Sequence, residues 1–364
     1  MQRPDYRRLR SLFFRLDPET AHNLTLRLLA LAARFSPTRR WMAHLFDCRD
    51  PRLKSEVFGM RFRNPVGIAA GYDKNAIVVR ALAALGAGHV EVGTMTPLPQ
   101  RGNARPRIFR LPGDGALINR MGFPNAGAAA AAPRLALLRA HPTAARLGVN
   151  IGKGRDTLLE DALSDYREML RKLHPYADYL VVNLSSPNTP GLRGLQAPVA
   201  LEGFLAGFME NRAKVCPRMP VLLKIAPDLS LEEVDDVLMA ISNHSLSGVV
   251  ATNTTLSREG LRGAGAARAE AGGLSGAPMS ARSTEIIRHI YRRTSGALPI
   301  IGVGGVDSAA AALEKIRAGA VLVQVYTGLV YNGPGLVRDI NAGLLREMDT
   351  LGIESVTALV GSAA

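Results

Sequence analysis

The chain predicts a (β/α)8 TIM barrel carrying an N-terminal amphipathic helical hairpin. Beyond about residue 60, eight short apolar runs alternate with helical stretches, and each run ends in polar residues or glycine. Parallel strands that are each followed by a helix close into a barrel, with polar groups gathered at the strand C-termini. The 364 residues suit one barrel with additions, and 47% hydrophobic with 21% charged residues is an ordinary globular balance. Two regions are expected, a helical segment over 1–45 and the barrel over 46–364.

At the start, Tyr6, Leu9, Leu12, Phe13 and Leu16 recur at helical spacing, with Arg7, Arg8, Arg10 and Arg15 between them. Asp17-Pro18-Glu19 reads as a helix start: an N-cap, a proline at the first helical position and an acid in the first turn. Leu24, Leu28, Leu31 and Phe35 mark the apolar face of that second helix, Leu26 and Leu29 widen it, and Ser36-Pro37 stops it. Nine of the first 40 residues are Arg and three are acids, so the hairpin has a broad apolar face and a basic rim. That pattern fits a pair packed on the domain, and also an interfacial anchor. Barrel strands are expected at 65–70, 89–93, 148–151, 179–184, 221–225, 248–252, 300–303 and 321–325. Helices over 75–85, 157–173, 231–242 and 309–318 separate several of them. The interval 94–147 exceeds one crossover and holds a Pro/Gly/Arg-rich loop at 97–112, a hairpin-like piece near Leu117 and one helix. The Gly/Ala-rich stretch 257–276 is expected to be a mobile loop over the mouth.

Composition narrows the chemistry. Cys48 and Cys216 are the only cysteines and lie far apart, which argues against a thiolate metal centre and a disulfide framework. The histidines show no ligand spacing, so no metal site is expected. The formal net charge of +14 fits a soluble Arg-rich surface, or one that faces the phosphates of nucleic acid or anionic lipid. No apolar run reaches the ~18 residues of a spanning helix. Arg breaks every apolar stretch near the start, so no secretory signal is expected either.

The candidate site lies at the strand ends. Ala69-Ala70-Gly71 leads to Lys74, and Gly93-Thr94 ends the second strand. Asn150 precedes Gly152-Lys153, and Asn183 precedes Ser185-Ser186-Pro187-Asn188-Thr189. Lys224, Thr252-Asn253-Thr254, Gly302-Val303-Gly304-Gly305 and Tyr326-Thr327-Gly328 complete the ring. Any one of these is ordinary loop chemistry. Together they point several Asn, Lys and Thr into one mouth. Loops after the last two strands of such barrels often bind phosphate. Gly304-Gly305 and Gly328 let backbone N–H groups approach an oxyanion, which suggests a phosphorylated cofactor such as FMN. Amides and hydroxyls suit the ring C=O and N–H groups of a small, polar, anionic substrate. A lysine beside a flavin stabilises negative charge on the reduced ring.

Longer segments carry a family likeness: Ala69-Ala70-Gly71-Tyr72-Asp73-Lys74, Glu91-Val92-Gly93-Thr94, Asn119-Arg120-Met121-Gly122-Phe123, Asn183 through Gly191, Lys224-Ile225-Ala226-Pro227-Asp228, Ala251-Thr252-Asn253-Thr254-Thr255, Gly272-Gly273-Leu274-Ser275-Gly276 and Gly302-Val303-Gly304-Gly305. In this order, from about residue 5 to 345, they resemble the class 2, quinone-reducing dihydroorotate dehydrogenases. The resemblance implies one FMN per chain, held by Ala70, Lys74, Thr94, Asn150, Asn183, Lys224, Thr252, Gly276, Gly305, Tyr326 and Thr327. It implies that Lys74, Asn119, Arg120, Met121, Gly122, Phe123, Asn183, Asn188, Asn253 and Thr254 hold dihydroorotate or orotate. Ser186 would be the catalytic base and Thr189 a proton relay. The N-terminal helical pair would cover a quinone tunnel and rest on the membrane, with His22 and Arg105 at the quinone's polar head. The expected partners are thus the substrate, a membrane quinone and, peripherally, anionic lipid, and the chain's start at the hairpin suggests the cytoplasmic face of a bacterial inner membrane. Class 1 relatives use a Cys base, and no Cys lies between Cys48 and Cys216. Flavin barrels that modify RNA would need a Cys acid and an RNA-binding appendage; the sequence shows neither, so no nucleic-acid partner is expected. One departure shows: Pro124 follows Phe123 where the family pattern has a polar residue.

Overall fold

The computed structural model describes residues 6–263 and 265–364; the side chain of Arg7 lies outside the described residues, as do residues 1–5 and 264. Helices α1 (Tyr6–Phe13) and α2 (Pro18–Arg34) open the chain. Asp17 caps α2 as expected, its Oδ1 accepting the N–H of Thr20 at 2.9 Å. Ser36-Pro37 ends α2 but does not end the helical segment. Phe35 alone is extended, and α3 (Ser36–Phe46) begins on the same proline. Proline has no N–H to continue one helix and is preorganised for the first turn of the next. The expected hairpin is therefore a run of three helices. Tyr6 Oη donates to Val330 O at 2.8 Å and Arg10 Nη1 to Tyr331 O at 3.1 Å, which seats α1 near the chain's C-terminal third.

Strands β1 (Ser55–Val57) and β2 (Met60–Phe62) form an antiparallel hairpin absent from the sequence reading. It carries rings against the barrel floor: Phe58 lies 6.1 Å from Tyr179, and Phe62 meets His89 edge-on at 5.7 Å. A Cβ on Gly67 or Gly148 would fall 2.3 Å from the ring of His89 or Tyr179. Small residues facing large ones make the barrel interior a packed core and not a pore.

The remaining elements follow in order. They are β3 (Val66–Ile68), α4 (Val79–Ala84), β4 (His89–Met95), β5 (Ile108–Leu111), β6 (Ala116–Asn119), α5 (Gly127–Ala140), β7 (Arg146–Ile151), α6 (Ala162–Leu173), β8 (Tyr179–Asn183) and α7 (Pro198–Val215). Next come β9 (Val221–Ile225), α8 (Leu231–Asn243), β10 (Gly248–Ala251), β11 (Gly273–Gly276), α9 (Ser280–Arg293), β12 (Ile300–Val303), α10 (Ala309–Arg317), β13 (Leu322–Val325), α11 (Thr327–Asn332) and α12 (Leu336–Leu351). The closed parallel barrel runs β3-β4-β7-β8-β9-β10-β12-β13, which are the eight expected strands. A second sheet, β11-β6-β5, is antiparallel. In place of the end of a mobile loop, β11 forms the third strand of that sheet: Gly273 pairs with Asn119 and Gly276 with Ala116. Gly-Leu-Ser-Gly has almost no β-forming side chains, so only the partner strand makes it a strand.

Helix α4 starts later than its apolar pattern suggests. The Asp73 carboxylate accepts the N–H groups of Asn75, Ile77 and Val78 at 2.7–3.2 Å, and this holds 73–78 as a turn. Asp165 does the same ahead of α6, accepting from Gly154 N and Thr157 Oγ1 at 2.7 Å each. Side chains of this kind compete locally with helix bonding.

Candidate functional site

The strand C-termini open into a cavity of about 1050 Å3, counted out to its mouth, a size suited to a cofactor and a small substrate. Ala70, Lys74, Thr94, Asn183, Lys224, Thr252, Gly276, Gly305, Tyr326 and Thr327 of the expected cofactor set line it. Asn119, Met121, Gly122, Phe123, Asn188, Asn253 and Thr254 of the substrate set also line it, as does Ser186. Asn150 and Thr189 are buried behind the lining. Arg120 turns away, with Nη1 2.5 Å from Glu270 Oε2 and its guanidinium over the Phe109 ring.

Beneath the cavity lies a buried polar network. Asn183 Oδ1 accepts the backbone N–H of Ser185 at 3.2 Å, so its Nδ2 faces Asn150 Oδ1, also at 3.2 Å. Asn150 Oδ1 also accepts from Thr94 Oγ1 at 2.6 Å, which turns Asn150 Nδ2 to Glu91 Oε1 at 2.7 Å. Gln324 Nε2 donates to Glu91 Oε2 at 2.8 Å, and Lys224 Nζ stands 3.7 Å from Oε1. Glu91, Gln324 and the lining Ser275 were missed as site residues. Two of them left a signal: Gln324 is the one polar residue of an apolar strand, and Glu91 is a charged residue between two valines, each in phase with its strand's inward face.

One corner of the cavity is built of backbone. Gly276, Gly304 and Gly305 have φ of 106°, 125° and 70°. A Cβ on Gly305 would meet Ser280 Cβ at 2.6 Å, and one on Gly276 would meet Gly115 O at 2.4 Å. Thr327 Oγ1 donates to Ser275 Oγ at 2.9 Å on the same wall. Main chain brought to a surface beside hydroxyls is the donor set that a phosphate takes, so these residues fit the terminal phosphate of FMN.

The loop after β8 lines another part of the cavity. Ser186 is 4% exposed, and its Oγ accepts the N–H of Asn188 at 3.2 Å. Asn188 Nδ2 donates to Asn119 Oδ1 at 3.1 Å, and Asn253 Nδ2 donates to Ser185 Oγ at 3.0 Å. Arg193 ties the loops together through Ser185 O, Thr254 O and Asp228. Lys74 also faces the cavity, and burial pushes its pKa down to about 8, with Glu19 opposing and Arg107 assisting the shift. Pro124 leaves no N–H to satisfy in the 119–123 loop. The next residue holds the turn instead: Asn125 Nδ2 donates to Phe123 O and Thr96 Oγ1 at 2.8 Å each.

Helix α2 covers one approach to the mouth. His22 meets Tyr72 edge-on at 5.3 Å, and Tyr72 meets the lining Tyr326 at 6.0 Å. Burial, with Lys74 nearby, pushes the His22 pKa down to about 3, so the ring is neutral. Arg105 lies off this column, largely exposed and bound to Glu19 Oε1 at 2.9 Å. Arg110, which sequence reasoning missed, donates to Phe14 O and Leu16 O at 3.3 and 2.8 Å and lies over the Phe14 ring. Leu26 and Leu29 pack inward, whereas Leu9, Leu12, Leu16, Leu24, Leu28, Leu31, Phe35 and Trp41 are exposed. No helix among the described residues is long and apolar enough to cross a membrane.

Residues 52–348 match the family model described as Dihydroorotate dehydrogenase. The chain is 49% identical over 364 residues to a protein of Anaeromyxobacter dehalogenans named Dihydroorotate dehydrogenase (quinone), covering 97% of this chain and 96% of that one. A protein of the same name from Thermus thermophilus is 50% identical over 346 residues, covering 95% and 98%. Among solved structures, Eimeria tenella DHODH in complex with ferulenol superposes with a TM-score of 0.86 at 39% identity, covering 95% of each chain.

Proposed function

The chain belongs to the dihydroorotate dehydrogenase family, and from that membership we propose that it oxidises dihydroorotate to orotate in pyrimidine biosynthesis, on an FMN held in the barrel mouth, with a membrane quinone as electron acceptor. The observation that carries the residue-level reading is the setting of Ser186. Its hydroxyl is buried and lines the same cavity as Lys74, Lys224, four asparagines and the glycine corner.

Bound FMN would supply the two-electron acceptor. Gly276, Gly305 and Thr327 would hold its phosphate, while Ala70, Thr94, Asn183, Lys224, Thr252 and Tyr326 would hold the rest. Asn150 acts through Thr94 and Asn183. The Lys74 ammonium attracts the substrate carboxylate, and Asn119, Asn188, Asn253 and Thr254 read the ring's amide edge. The 120–123 loop closes over them. Ser186 Oγ takes a proton from a ring carbon as the hydride leaves from its neighbour, so the substrate loses two electrons and gains a C=C bond. A serine hydroxyl is a weak base in water, and the role needs a closed, dry site and an outlet for the proton. Thr189, buried in the same loop, would be that relay.

Residues 1–45 would form the quinone-covering segment. Neutral His22 and, at the rim, Arg105 would bind the quinone head. The exposed apolar row among arginines would rest on anionic lipid at the cytoplasmic face of the cell membrane. The test is to add dihydroorotate to the purified flavoprotein without air. Bleaching of the flavin band, restored by a quinone but not by NAD or fumarate, is expected. A bound flavin that stays oxidised would overturn the substrate assignment.

A further inference from the structure

Lys224 is one of two cations lining the cavity, and it does not act alone. Its Nζ stands 3.7 Å from Oε1 of Glu91, a carboxylate with no exposed surface. The direction of the network beneath the cavity makes Glu91 an acceptor. The backbone N–H of Ser185 fixes the amide of Asn183, Asn183 fixes Asn150, and Asn150 therefore donates to Glu91. Gln324 donates to the other oxygen. Glu91 is thus held to two side chains of the cavity floor, Lys224 and Gln324, and through Asn150 to Thr94 and Asn183.

We propose that Glu91 is a positioning residue that both aims Lys224 at the flavin and offsets its charge, and so sets the reduction potential of the bound FMN. The inference rests on the flavin reading above. A positive charge beside the ring favours the more negative, reduced state and raises the potential. A buried carboxylate that close to the ammonium cancels part of that field. The same carboxylate keeps the ammonium at one place on the floor, because charged and amide partners hold the anion from three sides.

The test is the midpoint potential of FMN in the intact holoenzyme, measured by equilibrium reduction against a reference dye. Glu91→Gln keeps the shape and the amide contact from Asn150 but removes the charge. The reduced-to-oxidised ratio at fixed ambient potential is expected to rise at least tenfold, which for a two-electron couple is about 30 mV. Lys224→Met is expected to lower the potential, and adding Glu91→Gln to it is expected to raise the potential by less than Glu91→Gln does alone, because the part acting through Lys224 is gone. An unchanged potential in Glu91→Gln, or an equal shift in the Lys224→Met background, overturns the proposal. Should Glu91→Gln not retain FMN, Glu91→Asp carries the test: it withdraws the charge by one methylene and should shift the potential in the same direction by less, and no shift overturns the proposal. Wild type that binds FMN and is bleached by dihydroorotate while the variant potential stays flat fails Glu91 alone. Wild type that is not bleached fails the reading beneath it.

Discussion

Ser186 and Lys74 face the same cavity with opposite demands on pH. A hydroxyl base works better as the solution becomes more alkaline, so the rate of flavin reduction by dihydroorotate should climb with pH. Ser186→Ala should slow that step by about 10²–10⁴, the usual worth of a placed base. Ser186→Cys should move the rise toward the ordinary thiol value of about 8.5. A wild-type rate that is flat up to about pH 10 would sink the base role. Lys74 behaves in the other sense. Burial lowers its pKa to about 8, so its charge is present below that value and lost above it. Orotate affinity, read from the flavin spectrum, should fall as pH rises through about 8, and Lys74→Met should weaken binding and flatten the dependence. Most of these groups were legible in the sequence because strand ends in a barrel point to one place. Glu91 left only a weak signal and Arg110 none, since one charged residue in a short strand has many ordinary uses.

Helix α2 is held by a buried charge cluster as well as by its leucines. Glu19 accepts from Arg107 at 2.7 and 3.0 Å, and both side chains are more than nine-tenths buried. Burial alone would raise the Glu19 pKa, but the bonds from Arg107 and Arg105 hold it below the usual value of 4.5. The contribution to docking is therefore complete at neutral pH and is lost only as pH falls below the ordinary glutamate range. Glu19→Ala would leave Arg107 buried without its anion, which costs about 3–5 kcal/mol. The expected outcome is a lower melting temperature and faster proteolysis between α1 and α3, with the barrel's circular dichroism retained. A variant as stable as wild type would show that the cluster is dispensable. The Asp17-Pro18 start of this helix was readable because capping is local. The third helix was hidden because Pro37 reads as a stop, and only the chain beyond it shows that it is also a start.

Taken whole, the molecule is a basic barrel with an apolar, Arg-flanked helical face at one side of its mouth. If that face rests on lipid, binding to anionic vesicles should weaken with salt, as the screening length falls from ~10 Å at 0.1 M to ~3 Å at 1 M. Replacing Leu28 and Leu31 by Asp should lower vesicle binding by at least about a hundredfold, from about 1.5–3 kcal/mol for each buried leucine. Flavin reduction by dihydroorotate should be unaffected, because both residues are exposed and neither lines the cavity. Equal binding to neutral and anionic vesicles, or no loss in the double variant, would sink the lipid contact.

Pattern alone carried the eight strands and their polar ends, because the spacing of apolar runs and the chirality of βαβ units leave few topologies open. It also pointed to the glycines at 276, 304 and 305, which the structure brings to one corner of the cavity with positive φ. The fold had to supply everything that depends on two distant segments meeting. The floor hairpin exists because Phe58 and Phe62 find Tyr179 and His89. Strand β11 exists because β6 offers it a ladder. Glu91 matters because Asn150, Lys224 and Gln324, each from a different strand, converge on it. Local preference is written residue by residue, whereas a contact across the barrel is made only when the chain closes.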